Sequence, residues 1–459
     1  MRLFSALHSP AAVVGLAFGL ATAWTLLYEG AAGESRAAAE SPRRAPEVER
    51  SAHGTDSAAA AASVVRAAIP LRQGPRLLRE PPEDVLGLDI SIEDRDGQSM
   101  AALHEALRRA ERGEGQARLV FYGASHVASD LFTGYLRREL QRRYGDAGHG
   151  VVLPAHPWRT YRHRGVEVES NRRMWDSTKV RASSSEVDYF GVHGVYVESN
   201  RRGAYGRVRT ASSGTGSSAS LFDVYYLQRP GGGSFDVLMD GRPAQQVTTQ
   251  SDAAGPGYAT FRVPDGAHQL ELRLRGDGPV RFFGVAVERE TPGVIVDTLG
   301  INGARARYHL LWEDALYREH LRRRNPDLVV LAYGTNESGD DAPIERYEAE
   351  LRGVLQRVRE VAPQSSCLLI GPSDRPVRRE DGSWEDRPRT AAIVNAQYRA
   401  AVEHGCGFFD LISFSGGPMS MVEWAAADPP YGAPDHVHYT RRGYTRLGEV
   451  LLGALLEGM

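Results

Sequence analysis

The chain has 459 residues, 42% of them apolar and 25% charged, with a net charge of -3. That is ordinary globular composition with enough apolar residues for a sizeable core, and the near-neutral balance argues against a general polyanion binder, nucleic acid included. The length exceeds one average domain of about 100–200 residues, so two ordered units plus accessories are expected. The basic side is almost all arginine, scattered along the chain, with a single lysine, Lys179. Two cysteines, Cys367 and Cys406, exclude a disulfide scaffold and a Cys-rich metal site; each lies in an apolar run that reads as a core strand, so buried free thiols are expected.

In chain order, residues 1–29 come first as an address. Residues 11–28 carry no charge, Arg2 precedes them and Glu29 follows. A run of about 18 apolar residues is the lower limit for a membrane-spanning helix and is long for a cleavable signal peptide, so both an anchor and a signal stay open. Either one exports the remainder to the periplasm or the cell surface, with Arg2 on the inner side. Residues 30–85 are rich in Ala, Pro, Ser, Glu and Arg without an amphipathic pattern and read as a disordered tether. A short helix over about 98–112 is expected to begin the folded part.

From residue 117 strand-like runs alternate with helical periods. Leu119 to Tyr122 is followed by a helix through Leu131, Leu136 and Leu140; later runs begin near 293, 328, 368 and 408, with helical patterns near 304–323, 342–361, 388–404 and 441–457. This rhythm predicts an α/β fold, a parallel sheet covered on both faces. Residues 165–290 break it. Short β-rich runs at 194–198, 222–227, 235–239, 259–263, 270–274 and 280–287 are punctuated by Gly, Ser, Pro and Asp, the spacing of a β-sandwich. The expected organisation is an α/β domain in two parts, 86–164 and 291–459, interrupted by a sandwich over 165–290.

Four turns carry candidate chemistry. Gly123-Ala124-Ser125-His126 lies between the first strand and a helix, where ligands of open parallel sheets bind. Ser125 there fits a nucleophile or a helix cap equally well. Gly300-Ile301-Asn302-Gly303 follows the second strand, where a glycine lets the backbone aim an N–H at a ligand or simply makes a tight turn. Gly334-Thr335-Asn336-Glu337 follows the third, offering the Asn336 amide as a donor or a cap. Asp435-His436-Val437-His438 precedes the last helix; an Asp three residues before a His can hold the ring by its Nδ1–H and leave Nε2 free as base. His436 and His438 lack an evident third partner for a metal.

The order of these blocks resembles that of the SGNH hydrolases, also called GDSL-type esterases, with Ser125, Gly303, Asn336, and Asp435 with His438 at the matching positions. The resemblance covers 117–164 and 292–459. Ala124 stands where the family usually has Asp, and Glu337 where it usually has Asp. Within the family the chain is most similar to secreted peptidoglycan O-acetylesterases, through Tyr144-Gly145-Asp146-Ala147-Gly148-His149-Gly150 and the tail with Gly416-Gly417, Trp424 and Asp435 to Thr440.

The resemblance implies a three-layer α/β/α hydrolase domain with a carbohydrate-module-like insertion. It implies Ser125, His438 and Asp435 as a catalytic triad, and an oxyanion hole from the Ser125 and Gly303 N–H groups and the Asn336 side chain. No metal or organic cofactor is called for. The implied substrate is an O-acetylated envelope polysaccharide, peptidoglycan first. O-acetyl transfer by the same residues, and a tethered glycan-binding protein without turnover, stand as alternatives; oligomeric state is left open. Trp158, Tyr161 and Trp175 fit either a sugar-stacking role or the core, Arg159, Arg162 and Arg164 either carboxylate contacts or solvated surface, and His126 either a pocket or a structural hydrogen bond.

Overall fold

A computed structural model describes residues 72–181 and 187–459. The leader or anchor expected over 1–29, and the tether from 30 to 71, lie outside the described residues. Among the described residues no helix is long and apolar enough to cross a membrane.

The strand–helix rhythm gives a five-stranded parallel sheet. Its strands are β1 (Gln116–Gly123), β2 (Gly293–Gly300), β3 (Leu328–Ala332), β4 (Ser366–Ile370) and β5 (Gly407–Phe409), in the spatial order 2-1-3-4-5. Successive side chains point to opposite faces. Leu119, Phe121, Val294 and Val330 pack with one set of helices: α1 (Ala101–Glu111), α3 (Phe132–Tyr144) and, at the C-terminus, α9 (Arg441–Leu455). Val120, Tyr122, Val329 and Leu369 pack with α4 (Asp314–Arg324), α5 (Ile344–Val361) and α6 (Pro388–Glu403). Three short helices complete the set: α2 (Ser125–Ala128), α7 (Leu411–Ser415) and α8 (Ser420–Ala426). The last two were not expected. They are too short to show a period, and α7 is set by Asp410, whose carboxylate accepts the Ile412 N–H.

Between α3 and β2 the chain builds two antiparallel sheets. One has the order 242–248, 234–239, 269–274, 205–210, 166–170, and the other 255–266, 219–228, 280–288, 195–199, 176–179. Val208, Phe235 and Leu272 of the first share a core with Val197, Phe222 and Phe282 of the second. The other face of the second sheet, through Tyr225 and Phe283, joins the core beneath α4 and Tyr122. A further strand, Gly148–Val152, pairs with Val280–Glu288. It precedes residue 165, where the sequence places the change to β structure.

Two expectations are corrected. Cys367 and Cys406 are not free thiols but a disulfide with Cα atoms 4.6 Å apart, because the parallel pairing of β4 with β5 brings them side by side across 39 residues. The end of the expected tether is ordered. Leu77–Arg79 pairs with Asp89–Ile90, and the Arg72 guanidinium bonds Glu93 at 2.6 Å and also Asp410. Arginine and proline make this stretch look solvated, yet Arg72, Arg76 and Arg79 each have an acidic partner.

A buried ion cluster joins the two kinds of sheet. The Arg324 guanidinium at the end of α4 lies 2.7 Å from Asp297 in β2 and 2.6 Å from Glu288 in the antiparallel sheet. Arg118 of β1 adds a second cation on Glu288 at 2.8 Å, and Asp297 accepts the Val151 N–H. Burial pushes the Glu288 carboxyl up, but the Arg324 and Arg118 charges and hydrogen bonds outweigh it and hold it at about 2. Removing one member leaves the others buried and uncompensated. Arg324→Ala is therefore expected to cost about 3–5 kcal/mol in urea unfolding. The depressed Glu288 pKa means its contribution is complete above its unfolded value, about 4.3, and is lost as pH falls toward 2. The wild-type gap to the Glu288→Gln variant should accordingly be constant near neutrality and shrink below about pH 4.

Candidate active site

The register of the parallel sheet sets the site. Gly300 lies beside Gly123, and Gly123 beside Ala332, so β2, β1 and β3 end level with one another. The Ile301 N–H donates to the Gly123 carbonyl and ties the first two ends together. In this strand order the topological switch point falls between β1 and β3, where open sheets bind ligands. Gly300 serves close approach: a Cβ on it would stand 2.1 Å from the Ala128 backbone nitrogen, so α2 can sit directly on the strand end.

Ser125 is the first residue of α2. The cap position belongs to Ala124, whose carbonyl accepts the Ala128 N–H. The capping alternative for Ser125 is thereby set aside. The Ser125 Oγ stands 2.7 Å from the His438 Nε2, and the His438 Nδ1 stands 2.7 Å from an Asp435 carboxylate oxygen. The other Asp435 oxygen accepts the backbone N–H groups of Val437 and His438 at 3.0 and 2.9 Å, an Asx turn that fixes the carboxylate. Burial pushes the Asp435 carboxyl up, but its hydrogen bond and ion pair with His438, with the N–H of Val437, hold it well below the usual carboxylate range. A charged carboxylate accepts from Nδ1–H, which leaves Nε2 as acceptor for the Ser125 hydroxyl. The His438 side chain keeps 30% of its surface open, so a substrate can reach the pair.

Gly303 occupies an exposed turn with φ +78°, closed by the Ala304 N–H on the Ile301 carbonyl; the bond of the turn does not use the Gly303 N–H. Asn336 gives one amide hydrogen to the Ala304 carbonyl at 2.9 Å, and its second hydrogen remains to be donated elsewhere. The buried Glu337 clamps the same two loops: its carboxylate accepts the Ala306 N–H at 2.8 Å and the Gly334 N–H at 3.0 Å. Burial pushes its pKa up against those donors.

His126 lies beneath the relay, its ring 5.3 Å from that of His438. Its Nδ1 bonds the Tyr444 hydroxyl at 2.8 Å and its Nε2 the Ser373 hydroxyl at 3.0 Å; Ser373 in turn meets Thr335. This buried chain links the loops after β1, β3 and β4 to α9. Burial, then the nearby His438, lowers His126 to about 3, so its ring is neutral near pH 7. Sequence reading singled out His126 but had no signal for Ser373, whose part depends wholly on its tertiary partners. His436 turns away from the relay, with Nδ1 3.3 Å from the Met421 carbonyl and its ring against Trp384. Among the described residues no three His, Cys, Asp or Glu side chains gather as a metal site. Trp175 and Tyr161 are buried, the former donating to the Tyr205 carbonyl and the latter accepting from Leu153, whereas Arg159 and Arg162 are exposed.

The model of the GDSL-like Lipase/Acylhydrolase family matches residues 254–446, which include Gly303, Asn336, Asp435 and His438. The match starts within the antiparallel strands and leaves out Ser125, which those strands separate from the rest. A solved structure of a peptidoglycan O-acetylesterase is 26% identical, with 78% of this chain and 95% of that chain covered and a TM-score of 0.63. A family two carbohydrate esterase from Cellvibrio japonicus is 12% identical over 63% of this chain and 97% of its own, with a TM-score of 0.26. None of the curated proteins matches the chain. Residues 254–446 thus match the GDSL-like lipase/acylhydrolase family, and that match together with the peptidoglycan O-acetylesterase neighbour supports an ester-hydrolysing enzyme.

Proposed function

We propose that this enzyme is a serine esterase that removes O-acetyl groups from an envelope polysaccharide, peptidoglycan first, outside the cytoplasm. The observation that carries the reading is the unbroken line of hydrogen bonds from Ser125 through His438 to Asp435. In the proposed mechanism the Ser125 oxygen attacks the acetyl carbonyl as its proton passes to His438 Nε2, and Asp435 stabilises the imidazolium. The Ser125 and Gly303 N–H groups and the Asn336 amide receive the oxyanion. His438 then protonates the departing sugar oxygen, leaving acetyl-Ser125. Water, deprotonated by His438, releases acetate and restores the hydroxyl.

The peptidoglycan O-acetylesterase neighbour supports the substrate class. The disulfide supports an oxidising compartment, consistent with export by residues 1–29. On this reading the hydrolase is built from 86–164 and 291–459, and the antiparallel sheets between them act as a carbohydrate-module-like sandwich.

Acetate release from O-acetylated peptidoglycan, acetylated xylan and an aryl acetate tests the function. Peptidoglycan should be the best polysaccharide, and Ser125→Ala should release no acetate while unfolding at the wild-type temperature. Asn336→Ala is expected to lower kcat by about 10²–10³. Glu337→Ala strands two buried N–H groups, at about 1–3 kcal/mol each, so urea unfolding and kcat should both suffer, with Glu337→Gln in between. Because Asp435 and His126 titrate far below neutrality, kcat/KM for the aryl acetate should fall on the acid side with the slope of a single proton.

A further inference from the structure

The aromatic residues that the sequence offered for sugar stacking are largely spent on the core, but another one is placed for it. A hairpin, Val377–Arg378 with Trp384–Glu385, rises between β4 and α6 at the same carboxyl edge of the sheet as Ser125 and Asn336. Its Trp384 is half-buried and belongs to no core cluster of the described residues. The indole rests against the His436 ring, with centroids 4.1 Å apart, and the Arg378 guanidinium stands 5.8 Å from it. His436 is held by the Met421 carbonyl and by a left-handed backbone, φ +54°, so this platform is fixed. His436 is two residues from His438, so their Cα atoms are within about 7.6 Å. The indole thus rests on the same turn that carries His438, at the sheet edge where Ser125 and Asn336 lie.

We infer that Trp384, backed by His436 and flanked by Arg378, is a glycan subsite beside the acyl site, taking the sugar ring that carries or adjoins the acetyl ester. A wide, flat, apolar face with polar groups at its rim is what binds the C–H face of a pyranose while its hydroxyls stay wet. The inference rests on the esterase reading above and adds the residue that separates a sugar ester from a simple one.

The test is the selectivity ratio, kcat/KM for O-acetylated peptidoglycan disaccharide fragments divided by kcat/KM for an aryl acetate. Trp384→Ala should lower the ratio about threefold to tenfold, mainly through KM for the fragments, and Trp384→Phe should restore part of it. An unchanged ratio, whether both activities persist or both fall together, overturns the subsite while leaving the esterase reading intact. A wild-type enzyme that releases acetate from neither substrate overturns both.

Discussion

Parallel strands that end at one level are the constraint on which the site depends. Because Gly300, Gly123 and Ala332 are in register, the turns after β2, β1 and β3 emerge side by side, and a donor turn, a serine and an amide share one rim. The fourth turn, with Asp435 and His438, comes from 313 residues beyond Ser125 and is delivered by the packing of α9 against α3. None of these turns could be precise alone. The Asn336 and Glu337 bonds to the Ala304–Ala306 stretch, and the chain from Tyr444 through His126 and Ser373 to Thr335, lock them together.

The same logic explains why a long excursion between α3 and β2 is tolerated. Its sheets are not suspended from the domain. Arg324 binds acids from both sheet systems, Gly148–Val152 joins the second sheet before the excursion proper begins, and Phe283 and Tyr225 complete the core under α4. A continuous stretch of sequence from the β2 side can look like an acylhydrolase without Ser125, because the serine is restored only in space.

Much of this was legible in the residues. Alternating strands and helices are periodic signals, and the four turns carry residue types whose chemistry is local: Asp435 and His438 share one turn, so their bond could be read from spacing alone. What stayed hidden depends on partners far away. Cys367 and Cys406 look like core thiols until two strands are paired. Arg72 looks solvated until Glu93 and Asp410 meet it. The strand 176–179 is polar because it lies at a sheet edge, so it lacks an apolar pattern. Glu337 looked like a departure from the common Asp, yet its carboxylate spans two loops.

The proposed chemistry requires Ser125 as the nucleophile, made reactive by His438. The most direct measurement is covalent labelling with an aryl fluorophosphonate followed by peptide mass spectrometry. A single stoichiometric adduct is expected on the peptide containing Ser125, formed as ester turnover is lost, with no adduct in the His438→Ala variant. An adduct on any other residue of an inactivated enzyme, or undiminished labelling of Ser125 without the imidazole, would contradict it.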